Sequence, residues 1–355
     1  MAYTDIDDPS AYFQTSIYTG NGGASHAIDQ AGNSTFQPDW VWIKKRSGAV
    51  NHLLHDSVRG VTNLLVTNNN DGDDSNSNIF IGFDDDGFRV GANSASNVNN
   101  GTFVGWQWKA GGSASTNSSG STNSSVSVNT DAGFSIVSYT GAGATTYGHG
   151  LGVTPNVIII KKRKSDSGNN NWFVYHDSVI TAGSGIKTFL TLNETEPLKS
   201  NGSATTFTSI SSTTFGVGTD DIISESSHTF IAYCFAEKQG YSKFGSYKGN
   251  GNADGTFVYT GFKPAWILSK RTDNSSGGEW NILDNKRDTF NVADAKIEAE
   301  NNGAEETDVM YDILSNGFKI RAGDGNINAS GGTYVFLAFA QNPLVTSTGV
   351  PATAR

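Results

Sequence analysis

A proline, a wholly apolar run and a basic pair stand together at three places in this chain. They read Pro38-Asp39-Trp40-Val41-Trp42-Ile43-Lys44-Lys45-Arg46, Pro155-Asn156-Val157-Ile158-Ile159-Ile160-Lys161-Lys162-Arg163 and Pro264-Ala265-Trp266-Ile267-Leu268-Ser269-Lys270-Arg271. A short β-branched and aromatic run opened by proline and closed by charge predicts a strand. Both alternating positions are apolar, so that strand must be covered on its two faces. Proline fits its first residue, where the missing N–H is not needed. The phrase predicts the central strand of one unit, present three times.

Three other landmarks return in the same order. A leading strand ends in a glycine turn at Tyr18-Thr19-Gly20-Asn21-Gly22, Tyr139-Thr140-Gly141-Ala142-Gly143 and Tyr247-Lys248-Gly249-Asn250-Gly251. After the basic pair come Leu53-Leu54-His55-Asp56, Val174-Tyr175-His176-Asp177 and Asn281-Ile282-Leu283-Asp284. A Gly-Phe or Phe-Gly step and a last apolar run close each unit, at Phe103–Trp106, Phe230–Tyr233 and Tyr334–Leu337. Tyr18 and Tyr139 are 121 positions apart and Tyr139 and Tyr247 are 108 apart. That period has the size of a domain, not of a solenoid repeat.

The predicted organisation is an N-terminal arm over 1–11, unit one over 12–109, a Gly/Ser/Asn-rich flexible linker over 110–130, unit two over 131–239, unit three over 240–342 and a tail over 343–355. The linker would let unit one stand apart while units two and three touch. Charged residues make up only 16% of the 355, against about 25% usually. Gly, Ser, Thr and Asn take their place, which favours turns and strands over helices. Six to eight short strands per unit predict an all-β chain of three tandem antiparallel β-sandwich, jelly-roll-like domains. The one helix expected is Val292–Glu300.

A net charge of −10 argues against nucleic acid and anionic membranes as partners. No apolar run is long enough to span a bilayer, and Met1–Ser10 is too acidic and polar for a signal peptide. Cys234 is the single cysteine and reads as a small buried side chain.

Candidate chemistry is sparse. His55-Asp56-Ser57 and His176-Asp177-Ser178 suggest a hydrolase, but neighbours along a strand point to opposite faces and cannot converge as a triad. No nucleotide loop, zinc spacing or paired glycosidase carboxylates stand out, so no catalytic residue and no required cofactor are assigned. The basic pairs could grip an acidic glycan. The favoured reading is structural, each arginine pairing with its own unit's aspartate: Arg46 with Asp56, Arg163 with Asp177, Arg271 with Asp284. Asp71, Asp73, Asp84 and Asp86 lie in acidic loops that suggest weak calcium binding. The first loop lacks the EF-hand glycine and its final glutamate. Trp106 and Trp108 flank Gln107, so their rings share a face that could be a glycan platform, with core packing the favoured alternative.

The combination of Tyr18-Thr19-Gly20-Asn21-Gly22, Phe36-Gln37-Pro38-Asp39-Trp40 and Trp106-Gln107-Trp108-Lys109-Ala110-Gly111-Gly112 resembles an uncharacterised repeat domain of virion structural and tail-fibre-like proteins of tailed, especially marine, bacteriophages. Tyr247–Gly251, Gly261–Trp266, Leu314–Lys319 and the ending Val350-Pro351-Ala352-Thr353-Ala354-Arg355 resemble it too. Unit two departs most, with Asn156 before an apolar run that lacks tryptophan. The resemblance implies a non-enzymatic part of the virion exterior, a tail fibre or spike, assembled in the host cytoplasm. It implies other virion proteins as partners, a homo-oligomer such as a trimer, and adhesion to host-surface glycans. A capsid decoration or head-fibre protein is the alternative, and a polysaccharide depolymerase the remote one.

Overall fold

The computed structural model describes residues 4–164, 170–181, 185–200, 202 and 204–351. Ala352 to Arg355, from the family-like ending, lie outside the described residues. Strands make up nearly all the regular structure, with two four-residue α-helices, Ser94–Asn97 and Asp221–Ser224, and a 3-10 turn at Pro9–Ala11.

One strand order occurs three times. In unit one the leading strand Phe13–Thr19 pairs with the closing strand Thr102–Trp108, then come the proline strand Trp40–Lys45 and the fourth strand Leu53–Asp56. In unit two the same order runs Phe134–Thr140, Thr229–Phe235, Val157–Lys162 and Phe173–His176. In unit three it runs Ser242–Lys248, Thr333–Pro343, Phe262–Arg271 and Trp280–Asp284. Every pairing is antiparallel. The proline strand is therefore interior in each sheet, as its apolar run requires.

The landmark tyrosines show how alike the copies are. Tyr18, Tyr139 and Tyr247 lie opposite Phe103, Phe230 and Tyr334 and stack on them at 5.0, 5.1 and 4.9 Å. Their hydroxyls donate to the carbonyls of Ser96, Ile223 and Ile327 at 2.8, 2.8 and 2.9 Å. The glycine two residues later is required at each site. A Cβ on Gly20, Gly141 or Gly249 would meet the carbonyl oxygen of Val98, Glu225 or Ala329 at 2.2, 2.1 or 2.3 Å, far inside contact distance.

A second set of strands packs on each main sheet. In unit one it is His26–Asp29, Gly87–Val90 and Phe80–Asp84, and in unit two Thr145–Gly148, Thr214–Val217 and Phe207–Ile210. In unit three the main sheet continues unbroken through Ala293–Glu298, Glu306–Leu314, Gly317–Ile320 and Phe257–Tyr259, so eight strands curl around one core. The helix expected over Val292–Glu300 is thus a strand. Ala293, Ala295 and Ile297 are buried at a period of two, and that pattern outweighs alanine's helix propensity.

The expected linker is also ordered. Ser124–Asn129 pairs with the leading strand of unit two, and Ser115–Asn117 pairs outside it. Val126 supplies the buried anchor, and serine and threonine between such anchors suit a strand as well as a linker.

Alternation along the proline strands places the core. Val41 and Ile43 face inward in unit one, Ile158 and Ile160 in unit two, and Ile267 in unit three, each with its own second layer. The intervening Trp40, Trp42, Val157, Ile159, Trp266 and Leu268 all join a single central cluster. Trp106, Trp108, Tyr233, Phe235, Leu337 and Phe339 of the closing strands belong to it as well. Trp40 stacks on Tyr233 at 4.8 Å, and Trp108 meets Trp266 edge-on at 5.5 Å. Fully burying a large apolar side chain is worth about 1.5–3 kcal/mol, so this face dominates the energetics. Unit one does not stand apart: it contributes its four-tryptophan face to the shared core.

Candidate functional site

The three main sheets meet along three seams, and the basic pair closes each of them. Strand register makes Lys44, Lys161 and Lys270 equivalent. All three are fully buried. Lys44 Nζ of unit one donates to the Asn302 carbonyl of unit three at 3.4 Å. Lys161 of unit two reaches Asn70 of unit one at 3.0 Å, and Lys270 of unit three reaches Glu194 of unit two at 3.2 Å. One direction of reach, repeated three times, makes a closed ring. His52, Trp172 and Trp280, which precede the fourth strands or open them, repeat it. They contact the carbonyls of Glu298, Val66 and Thr191 at 3.0, 2.9 and 2.8 Å. Burial pushes the lysines down, Lys44 to about 8 and Lys161 to about 7; Lys270 moves the same way. Backbone carbonyls, not carboxylates, are the groups that receive them.

Arg46 and Arg163 also bridge between units while Arg271 stays within its own, and none of the three pairs with the aspartate expected from sequence. Arg46 pairs with Glu305 of unit three at 2.7 Å, not with Asp56. Arg163 pairs with Asp73 of unit one at 2.6 Å, not with Asp177. Arg271 pairs with nearby Asp273 at 2.7 Å, not with Asp284. The reason is strand direction: the basic pair ends the proline strand, while Asp56 and Asp284 lie opposite Trp40 and Trp266 at its other end.

The aspartates have a different partner, three residues on. Asp56 holds Arg59 at 2.5 Å and Asp284 holds Arg287 at 2.6 Å, with all four side chains fully buried. Each carboxylate also accepts from an aromatic of another unit. Tyr233 of unit two donates to Asp56 at 2.7 Å, and the Trp106 indole of unit one donates to Asp284 at 2.9 Å. Asp73 and Glu305 then bridge outward, each touching the buried arginine and the arginine of the next unit. Burial opposes the charge on Arg59, but Asp56 and its neighbours more than offset it and raise the guanidinium further. Burial would raise Asp284, and Arg287 reverses this and lowers it.

Unit two lacks this latch. Register places His176, not Asp177, opposite Val157, the position held by Asp56 and Asp284. Val179 stands where Arg59 and Arg287 stand, and Leu337 stands where Tyr233 and Trp106 stand. His176 contacts the Phe336 carbonyl of unit three at 3.3 Å and is lowered by burial to about 4, so it is neutral. Asp177 lies one residue beyond and accepts from Asn156.

The other candidates resolve as follows. Trp106 and Trp108 are 0% and 1% exposed, so they form no glycan platform; their shared face is the one the central core covers. His55 is buried, stacks on Phe80 at 4.6 Å and makes no side-chain hydrogen bond, while Ser57 donates to Asp39. The calcium candidates do not converge. Asp73 is taken by Arg59 and Arg163, Asp84 by Arg89 at 2.7 Å, and Asp71 accepts from Asn69. The Asp86 carbonyl receives the Gln30 N–H. No group of three acidic, histidine or cysteine side chains suited to a metal ion occurs among the described residues. Sequence reasoning missed Arg59 and Arg287, although Asp-x-x-Arg at both places was a visible signal. Tyr233, Glu305 and the lysine contacts had none, because their partners come from other units.

No curated protein and no solved structure matches the chain. A family described as a domain of unknown function (DUF7483) matches residues 8–343. That span runs through all three strand sets and all three seams, so the chain belongs to the DUF7483 family.

Proposed function

We propose that this chain is an architectural protein of a virion exterior, a tail-fibre or spike component of a tailed bacteriophage. It is built from three copies of one antiparallel strand plan, sandwich-like in units one and two and closed into a single curled sheet in unit three, and carries no catalytic centre. The observation that carries the reading is the closed ring of seams. Most polar machinery that a sequence reader would take for chemistry, including Asp56, Asp284 and the basic pairs, is used to lock one unit to the next. A body locked in this way is suited to bearing load. The resemblance of the turn and tryptophan motifs to phage structural proteins supports the setting.

In that setting the chain assembles in the host cytoplasm, contacts other virion proteins and further copies of itself, and contributes to adhesion on host-surface glycans. Immunogold labelling of purified particles with antibody to this chain tests the proposal. Label on fibres or spikes is the expected result. Label confined to the capsid would favour a decoration or head-fibre role, and unlabelled particles would refute both. Light scattering on the purified chain reads its oligomeric state, for which a trimer is expected.

A further inference from the structure

Register between the three copies exposes two positions where one copy breaks the rule of the others. Thr15 of unit one is equivalent to Ile136 of unit two and Phe244 of unit three, opposite Trp106, Tyr233 and Leu337. Ile136 and Phe244 belong to the central core. Thr15 is buried as well, yet its hydroxyl has no hydrogen-bond partner. Ala265 of unit three follows the proline where unit one has Asp39 and unit two has Asn156. Asp39 fills its place by accepting from Ser57, Ala110 and Gly112. Asn156 does the same by bonding Asp177 and Glu237. Ala265 fills nothing.

These two exceptions face one cavity of about 260 Å³ at the seam of units one and three. A polar group at a core position and a small residue at a filled position are the local inconsistencies expected where a sequence serves a ligand and not the fold. The volume lies just under the ~300 Å³ at which small-molecule sites begin, which suits a single small ring. The floor is apolar, made by Phe13, Ala265 and Ala340. The walls are amides: Gln14, Asn33, Asn285, Gln341 and Asn342.

An amide offers both donors and an acceptor, as a hydroxyl does, so amide walls over an apolar floor match a ring with hydroxyls at its edge and C–H bonds on its face. Gln14 is fixed, donating to the carbonyls of Ser10 and Ser34 and accepting from the Gly32 N–H. Gln341 accepts from Asn285 at 2.7 Å. The charges balance: Asp8 and Lys286 contribute one of each sign, and Asp8 is already bonded to Ser10 and Ser34.

We infer that this cavity binds one neutral pyranose residue, with the amide wall reading its hydroxyls and the short Thr15 side chain leaving the room that isoleucine or phenylalanine takes in the sister units. The site deepens the adhesion proposed above and rests on that reading for its biological setting, but the binding itself belongs to the isolated chain.

Saturation-transfer NMR on the full chain with free glucose, galactose, mannose and N-acetylglucosamine tests it. At least one sugar should give a saturable signal with millimolar affinity. Thr15→Ile and Ala265→Asn copy the sister units, so each should fold and weaken binding at least tenfold at unchanged melting temperature. Should either unfold, Gln341→Ala at the exposed rim makes the same test. Absence of saturable binding by all four sugars, or binding that survives the substitutions, overturns the inference. Particle labelling is independent of both results, so a failed sugar site and a failed virion assignment remain distinguishable.

Discussion

Two of the three seams are latched by a buried carboxylate, an arginine and an aromatic donor; the third is not. Between units one and two the latch is Asp56, Arg59 and Tyr233, and between units three and one it is Asp284, Arg287 and Trp106. Between units two and three the same positions hold His176, Val179 and Leu337. All three residues differ together. The physical chemistry of buried ion pairs accounts for this: removing one partner strands a charge in the core, whereas replacing the whole set by apolar groups is nearly neutral. A latch is kept whole or lost whole. The lysine and aromatic contacts to carbonyls persist in all three seams because each donor finds its acceptor independently of the latch.

The comparison can be broken most decisively by cutting the ring. A fragment of residues 240–342 would expose Trp266, Leu268, Trp280 and Phe339, all now buried centrally. It is expected to aggregate or to lack a cooperative thermal transition; a soluble, two-state monomer would show that the shared core is dispensable. Next in size, Asp284→Ala or Asp56→Ala leaves a fully buried arginine without its partner and should cost about 3–5 kcal/mol in urea unfolding. Asp177→Ala, at the position that sequence alone aligned with them, should cost less than about 1 kcal/mol because its side chain is 35% exposed. Equal losses at Asp177 and Asp284 would remove the distinction between the seams.

Smaller effects sharpen it. Tyr233→Phe deletes one bond to a charged group while Arg59 remains, so a loss of about 1–3 kcal/mol is expected. The same change at Tyr175 does not touch a latch, and its effect should be smaller. The pH dependence should follow the buried lysines. Lys161 is held near 7 in the folded chain by burial, against about 10.4 when unfolded. Below about pH 7 both states carry the proton and Lys161 adds no slope. Above it the unfolded chain binds more protons, so this residue makes stability rise with pH up to the ordinary lysine range. Urea midpoints at pH 7 and pH 10 should therefore differ less in Lys161→Met than in the parent chain. An unchanged difference would show that burial does not lower Lys161 in the folded chain.

Much of the fold was legible. Apolar residues at every position of the proline runs required a strand covered twice, and each is an interior strand with two buried faces. The Tyr-x-Gly turns marked close backbone approach at three equivalent sites. Where sequence misled, the cause was specific. Serine- and asparagine-rich 110–130 reads as linker because composition does not reveal that a neighbouring edge is open to receive Ser124–Asn129. His-Asp at 176–177 reads as the copy of His-Asp at 55–56, but strand register shifts it by one. The candidate pocket was invisible for the same reason. Thr15 and Ala265 are ordinary residues until register shows what stands in their places elsewhere.

The sequence by itself determined that one strand plan is used three times and that its central strand has no solvent face, because periodicity and apolar content act over a few neighbouring residues. Only the tertiary structure decided what covers the second face. Shared burial of Trp40, Trp106, Tyr233 and Trp266 joins residues of different units, and the contacts that Lys44, Lys161, Lys270, Arg46 and Arg163 make across the seams join residues 76 to 259 positions apart. Local pattern carries no information about which of several equally apolar faces will meet.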